Sequence, residues 1–149
     1  MSAVSEIISP RSIVSVDLSD NPSALDVAKL MVKRRVGSVV AIEDGKPVGI
    51  ITERDILKKV SGQDRCPGKV KARDLMSSPL VTIKAIDSIE TAAVTMAKNK
   101  VKRVVVLEED GSAVGVLSVT DITKRLSKIL TDEYNRYGSL KAMLEMFRA

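Results

Sequence analysis

Val48-Gly49-Ile50-Ile51-Thr52-Glu53-Arg54-Asp55-Ile56 occurs a second time, with substitutions, as Val114-Gly115-Val116-Leu117-Ser118-Val119-Thr120-Asp121-Ile122. Each copy is an apolar run after a glycine, closed by a hydroxyl residue with an aspartate three positions later. The run reads as a buried strand, and the hydroxyl–acid spacing reads as the start of a helix. Both copies therefore mark a strand that turns directly into a helix.

The same order of elements extends outward from each copy. The first repeat runs from about Ile13 to Val60. Val14-Ser15-Val16 alternates as a strand, and Asp20-Asn21-Pro22-Ser23 is turn and helix-start chemistry. Ala24, Val27, Ala28 and Met31 then recur at helical spacing. Ser38 to Glu43 is continuously apolar at its centre, and Asp44-Gly45 is a hairpin turn. Pro47 to Ile51 returns, and a helix follows from about Glu53 to Val60.

The second repeat runs from about Leu80 to Leu126 in the same sequence of elements. Val81-Thr82-Ile83 is its first strand, and Ile89, Ala92, Ala93, Met96 and Ala97 its first helical stripe. Arg103 to Glu108 and Ala113 to Leu117 flank the turn Asp110-Gly111, and a helix from about Val119 continues to roughly Leu130.

Each unit is thus strand, helix, strand, strand, helix. A unit of about 50 residues buries too little surface to be stable alone. Its two helices cover one face of its sheet and leave the other face apolar. The predicted fold is α+β: two βαββα units packed sheet to sheet about a pseudo-twofold axis, plus a C-terminal helix. The expected divisions are 7–60, a linker at 61–71, 72–130 and a helical tail at 131–149. The linker leads into Lys69-Val70-Lys71-Ala72-Arg73-Asp74-Leu75-Met76, a short helical segment that Val4 to Ser9 mirrors. In the tail Tyr137, Leu140, Leu144 and Phe147 share one helical stripe. That stripe either folds back on its own core or makes a dimer contact.

Composition narrows the chemistry. The 149 residues include no histidine and one cysteine, Cys66. Histidine triads and the common cysteine–histidine zinc sites are excluded, and no disulfide forms within the chain. No apolar run approaches the roughly 20 residues that span a membrane. The first residues lack the basic flank and apolar stretch of a secretory signal, so a cytoplasmic protein without membrane contact is expected. The net charge is +5, which suits anionic ligands or a merely solvated surface. Every aromatic lies in the tail, at Tyr134, Tyr137 and Phe147, so stacking platforms for nucleic acid are missing from the repeats. Lys58, Lys59, Arg65, Lys69, Lys71 and Arg73 make the linker region basic, without a nucleic-acid motif.

The Thr52/Asp55 and Ser118/Asp121 pairs have two readings. One is a capping box that stabilises each helix start by about 1 kcal/mol. The other is ligand binding, since a helix N-terminus attracts anions and a carboxylate accepts hydrogen bonds from both hydroxyls of a ribose. A hydroxyl is donor and acceptor at once, so the two roles coexist.

The doubled pattern resembles the tandem cystathionine-beta-synthase (CBS) motif pair, or Bateman module. The matching residues are Gly49 to Asp55 and Gly115 to Asp121, with Asp74-Leu75-Met76-Ser77-Ser78-Pro79-Leu80-Val81-Thr82-Ile83 as the opening segment. The resemblance covers about Ile7 to Leu130. It implies regulatory binding of AMP, ADP or ATP, with S-adenosylmethionine as a further possibility, and no catalysis. It also implies that each cleft draws on both repeats. One site would join Thr52, Arg54 and Asp55 to Thr82, Val101, Lys102 and Arg103. The other would join Ser118 and Asp121 to Ser15, Val36 and Gly37. Arg54, Lys102 and Arg103 make the first site the more positive, so it is expected to hold a phosphorylated adenosine more tightly. Such pairs commonly form disc-shaped homodimers, and the output is expected to pass through that dimer or a protein effector. The alternatives are a structural adaptor whose clefts stay empty and, more remotely, a nucleic-acid-binding protein.

Overall fold

A computed structural model describes residues 3–8 and 13–148. The first repeat contains β1 (Ser15–Asp17), α1 (Ala24–Arg34), β2 (Ser38–Glu43), β3 (Lys46–Thr52) and α2 (Glu53–Lys59). After short 3-10 turns at Ser61–Gln63 and Pro67–Lys69 comes α3 (Ala72–Leu75). The second repeat contains β4 (Thr82–Lys84), α4 (Ile89–Asn99), β5 (Arg103–Leu107), β6 (Ala113–Ser118) and α5 (Val119–Met146). Each repeat forms its own three-stranded sheet, ordered β1-β2-β3 and β4-β5-β6. In each, the first pair is parallel and the second antiparallel. The first hairpin turns on Asp44 and Gly45, both at positive φ (51° and 74°), as a two-residue turn between twisted strands requires.

Two cores lie on the helix-covered faces. Val39, Ala41 and Ile51 pack with Val27 and Met31 in the first, and Val104, Val106 and Leu117 pack with Ala92 and Met96 in the second. Fully burying such a side chain contributes about 1.5–3 kcal/mol.

The lead-in segments are exchanged. Val70, Ala72 and Leu75 precede the second repeat in sequence but belong to the core of the first. Val4 precedes the first repeat and is buried in the core of the second. The backbone repeats the exchange: Lys71 bridges to Ser23 at the start of α1, and Ala3 bridges to Ser88 at the start of α4. An Arg73–Glu43 ion pair adds a link from α3 to the end of β2. The crossing explains Gly49, because a Cβ there would lie 2.7 Å from the Met76 sulfur. The mirrored lead-in predicted at Val4 to Ser9 is a 3-10 turn at Val4–Glu6, and Ser9 lies outside the described residues.

The second helix of the second repeat, expected from its sequence to end near Leu130, does not end there. α5 runs without interruption to Met146. From Leu126 to Arg148 every residue is exposed, so the apolar stripe does not fold back on the body.

Candidate functional site

Strand register decides which side chains share the seam between the sheets. In the first sheet Ser15 lies opposite Val40, Val40 opposite Ile50, and Ser38 opposite Thr52. In the second Thr82 lies opposite Val105, Val105 opposite Val116, and Arg103 opposite Ser118. Laterally paired residues point to the same side, and successive residues alternate. Since Val39 and Val104 face the helices, Ser15, Ser38, Thr52, Thr82, Arg103 and Ser118 lie on the opposite faces. Val40 and Val105 are 0% exposed although they belong to neither helix-side core, so those faces are covered sheet against sheet.

At the edge of this seam β3 and β6 turn into α2 and α5. The Thr52 N–H donates to Asp55 Oδ2 at 2.8 Å, and its hydroxyl to the same oxygen at 3.2 Å. Ser118 repeats the arrangement on Asp121 Oδ2 at 2.9 Å and 2.9 Å. The Asp121 N–H donates back to Ser118 Oγ at 3.1 Å, completing the capping box. Both aspartates are half-buried, with the Asp55 side chain only 14% exposed. Capping occupies one oxygen of each carboxylate. Among the described residues, Asp121 Oδ1 takes no partner, and Asp55 Oδ1 has only Lys59 Nζ at 3.9 Å.

The carbonyl before each second strand satisfies the first N–H of the following helix. Gly37 O accepts from Glu53 at 3.1 Å, and Lys102 O from Val119 at 2.9 Å. These bonds tie Gly37 and Lys102 to the helix starts of their own repeats. One contact crosses between repeats. A Cβ on Gly37 would lie 3.0 Å from Arg103 Nη2 and 3.0 Å from Glu53 Oε1. Arg103 of the second repeat therefore reaches the first turn of α2, beside Thr52, and takes up the room that glycine leaves.

The remaining predicted residues are placed less closely. Arg54 and Lys102 are exposed, while Val36 and Val101 are half-buried against the cores of their own repeats. Thr82 also lines a depression of about 580 Å³ with Lys84, Asp87, Glu108 and Glu109, at the far end of β4. Two residues escaped the sequence reading. Ser38 occupies the position equivalent to Arg103 and faces the seam, as alternation from Val40 would have revealed. Lys59, four residues after Asp55, approaches that carboxylate and donates to the Leu75 carbonyl at 2.7 Å. It thereby connects the site to the exchanged lead-in.

A family model for the CBS domain matches residues 4–62 and again 72–128. The chain belongs to the CBS domain family. The two repeats are a tandem CBS pair, and the exchanged segments open each motif. An uncharacterized protein of Methanopyrus kandleri is 34% identical over 105 residues, which cover 70% of this chain and 54% of that protein. The chain thus spans about half the length of this relative. A CBS domain protein from Pyrobaculum aerophilum, solved in complex with AMP, is 29% identical with a TM-score of 0.73, covering 85% of this chain and 99% of that one. A CBS domain pair in complex with 5′-methylthioadenosine and S-adenosyl-L-methionine has the same fold, with a TM-score of 0.74 at 24% identity, covering 86% of this chain and 98% of that one.

Proposed function

We propose that this CBS pair is a regulatory module that binds an adenosine nucleotide, AMP, ADP or ATP, in the seam between its sheets. One observation carries the reading. Register and alternation set Ser15, Thr52, Thr82, Arg103 and Ser118 on the faces that the sheets turn toward each other. Half-buried Asp55 and Asp121 stand at the ends of those faces, each with Oδ1 not used in capping. The AMP complex of the Pyrobaculum aerophilum relative supports the choice of ligand.

In the first site Asp55 accepts the ribose hydroxyls and Thr52 donates to ribose or phosphate oxygen. Val101 and Thr82 border the base, and Arg54, Lys102 and Arg103 meet the phosphates. In the second, Asp121 and Ser118 take the ribose, with Ser15, Val36 and Gly37 from the other motif. Arg103 Nη2 and Glu53 Oε1 both border Gly37 at the edge of this site. Ligand acts only through its differential affinity for two arrangements of the motifs. The output passes to an oligomer or a protein effector.

Isothermal titration with ATP and AMP tests the reading on Asp55→Ala and Asp121→Ala. The Asp55 variant is expected to lose at least tenfold in affinity, more than its counterpart. A larger loss from Asp121→Ala reverses the ranking of the sites, and no loss from either removes the ribose role. The complete capping boxes favour a second reading, a structural adaptor in which both aspartates serve only the helices. An unchanged melting temperature in millimolar AMP, ADP, ATP and S-adenosylmethionine would select it, since any ligand of the native state raises stability.

A further inference from the structure

The exposed part of α5 carries a seam that fits a second copy of itself. From Leu126 the residues at alternating steps of four and three are Leu130, Glu133, Tyr137, Leu140, Leu144 and Phe147. That is the 3.5-residue period of a coiled coil, held for three heptads with one charged position. The apolar members are between 48% and 84% exposed, and nothing in the described chain covers them.

Charge decides the orientation. In a parallel pair Glu133 would face Glu133 of the second copy inside the seam, and Arg136 would flank Lys141. Both contacts repel. Antiparallel, with Leu130 opposite Leu140 and Leu126 opposite Leu144, every apolar seam residue in the overlap meets an apolar one except at the centre. There Glu133 faces Tyr137 of the second copy, whose hydroxyl donates to the carboxylate. Arg136 already lies 3.4 Å from Glu133 of its own helix; it flanks Arg136 of the other copy across the axis, with that copy's Glu133 close by to offset the two charges. The two Glu–Arg–Tyr sets thus neutralise and satisfy each other, as buried polar groups require. Ile129 flanks Met143, and Tyr134 meets its own copy across the axis.

The same register sets Phe147 of the second copy level with Thr123. Beside it lies a groove of about 610 Å³, lined by Ile89, Ile122, Leu126 and Ile129 together with Glu6, Glu90 and Arg125. We propose that α5 forms an antiparallel two-helix contact between copies of this chain, centred on Glu133, Arg136 and Tyr137.

Analytical ultracentrifugation of the full chain at tens of micromolar is the first test. The chain is expected to sediment as a dimer or an even multiple, and Leu130→Glu/Leu144→Glu at half that mass. These side chains are exposed, so the variant is expected to keep its circular-dichroism melting curve for the body. Orientation is read from disulfides in a Cys66→Ser background under mild oxidation. Tyr134→Cys is expected to cross-link to itself and Leu130→Cys is not. A monomeric parent, a mass unchanged by the double substitution, or the reverse cross-linking pattern overturns the proposal.

Discussion

The two CBS motifs share every element and differ in the charges that the shared frame carries. At the start of α2 stand Glu53 and Arg54; at the start of α5 the same positions hold Val119 and Thr120. Arg103 opens β5 where Ser38 opens β2, and the Arg103 guanidinium reaches across to Gly37, on Asp55's side. The N-cap Ser23 is closed by Asp26, whereas Ser88 pairs with Thr91. Alternation, buried valines and hydroxyl caps are kept in both copies because each half needs them to fold. The charges vary because the fold is indifferent to them. Function is therefore expected to divide between the halves along these charged positions.

The strongest way to break this comparison is through the cores. Leu75 is 0% exposed and packs in the first motif's core. Leu75→Ala is expected to cost about 2–5 kcal/mol in urea unfolding. Hydrogen exchange should rise in α1 and β2 before α4 and β5, and Val4→Ala should show the opposite localisation more weakly. Exchange rising instead in the second motif after Leu75→Ala would mean that the lead-ins are not swapped. Next in size is the arginine asymmetry. Arg103→Ala is expected to weaken ATP about tenfold, or about 1.4 kcal/mol, while sparing adenosine. Ser38→Arg should strengthen ATP at the second site; equal losses for ATP and adenosine would remove Arg103 from the phosphates.

Smaller effects sharpen the likeness between the halves. Thr52→Ala and Ser118→Ala each remove one capping hydroxyl and are expected to lower stability by about 1 kcal/mol apiece. A marked inequality in thermal melts would show that one box does more than hold its helix. The smallest effect separates the first helices by pH. Hydrogen bonds from the Ser23 backbone and hydroxyl hold the Asp26 carboxyl below its ordinary value. Its contribution is fully present above the unfolded value, about pH 4, and fades as pH falls toward the lower folded one. Thr91 does not titrate, so hydrogen exchange at the start of α1 should accelerate in acid relative to α4.

The halves were legible in sequence because each of their signals is local. Val39-Val40-Ala41-Ile42 against Val104-Val105-Val106-Leu107 reports two buried strands, and Asp44-Gly45 reports the turn between strands in the first. Thr52 and Ser118 were legible as helix starts for the same reason. Ser38 was missed because it carries no motif, only a place in an alternation. Lys59 was missed because its partner, the Leu75 carbonyl, is distant along the chain.

Sequence alone determined the duplicated strand–helix grammar, the caps and the apolar faces, since each depends on residues within a few positions of one another. Tertiary structure decided that the lead-ins change partners, that Arg103 crosses to Gly37 of the first repeat, and that α5 leaves the body as one exposed rod. Those outcomes depend on which surfaces meet across long stretches of chain, and neither hydrophobic period nor capping chemistry carries that information.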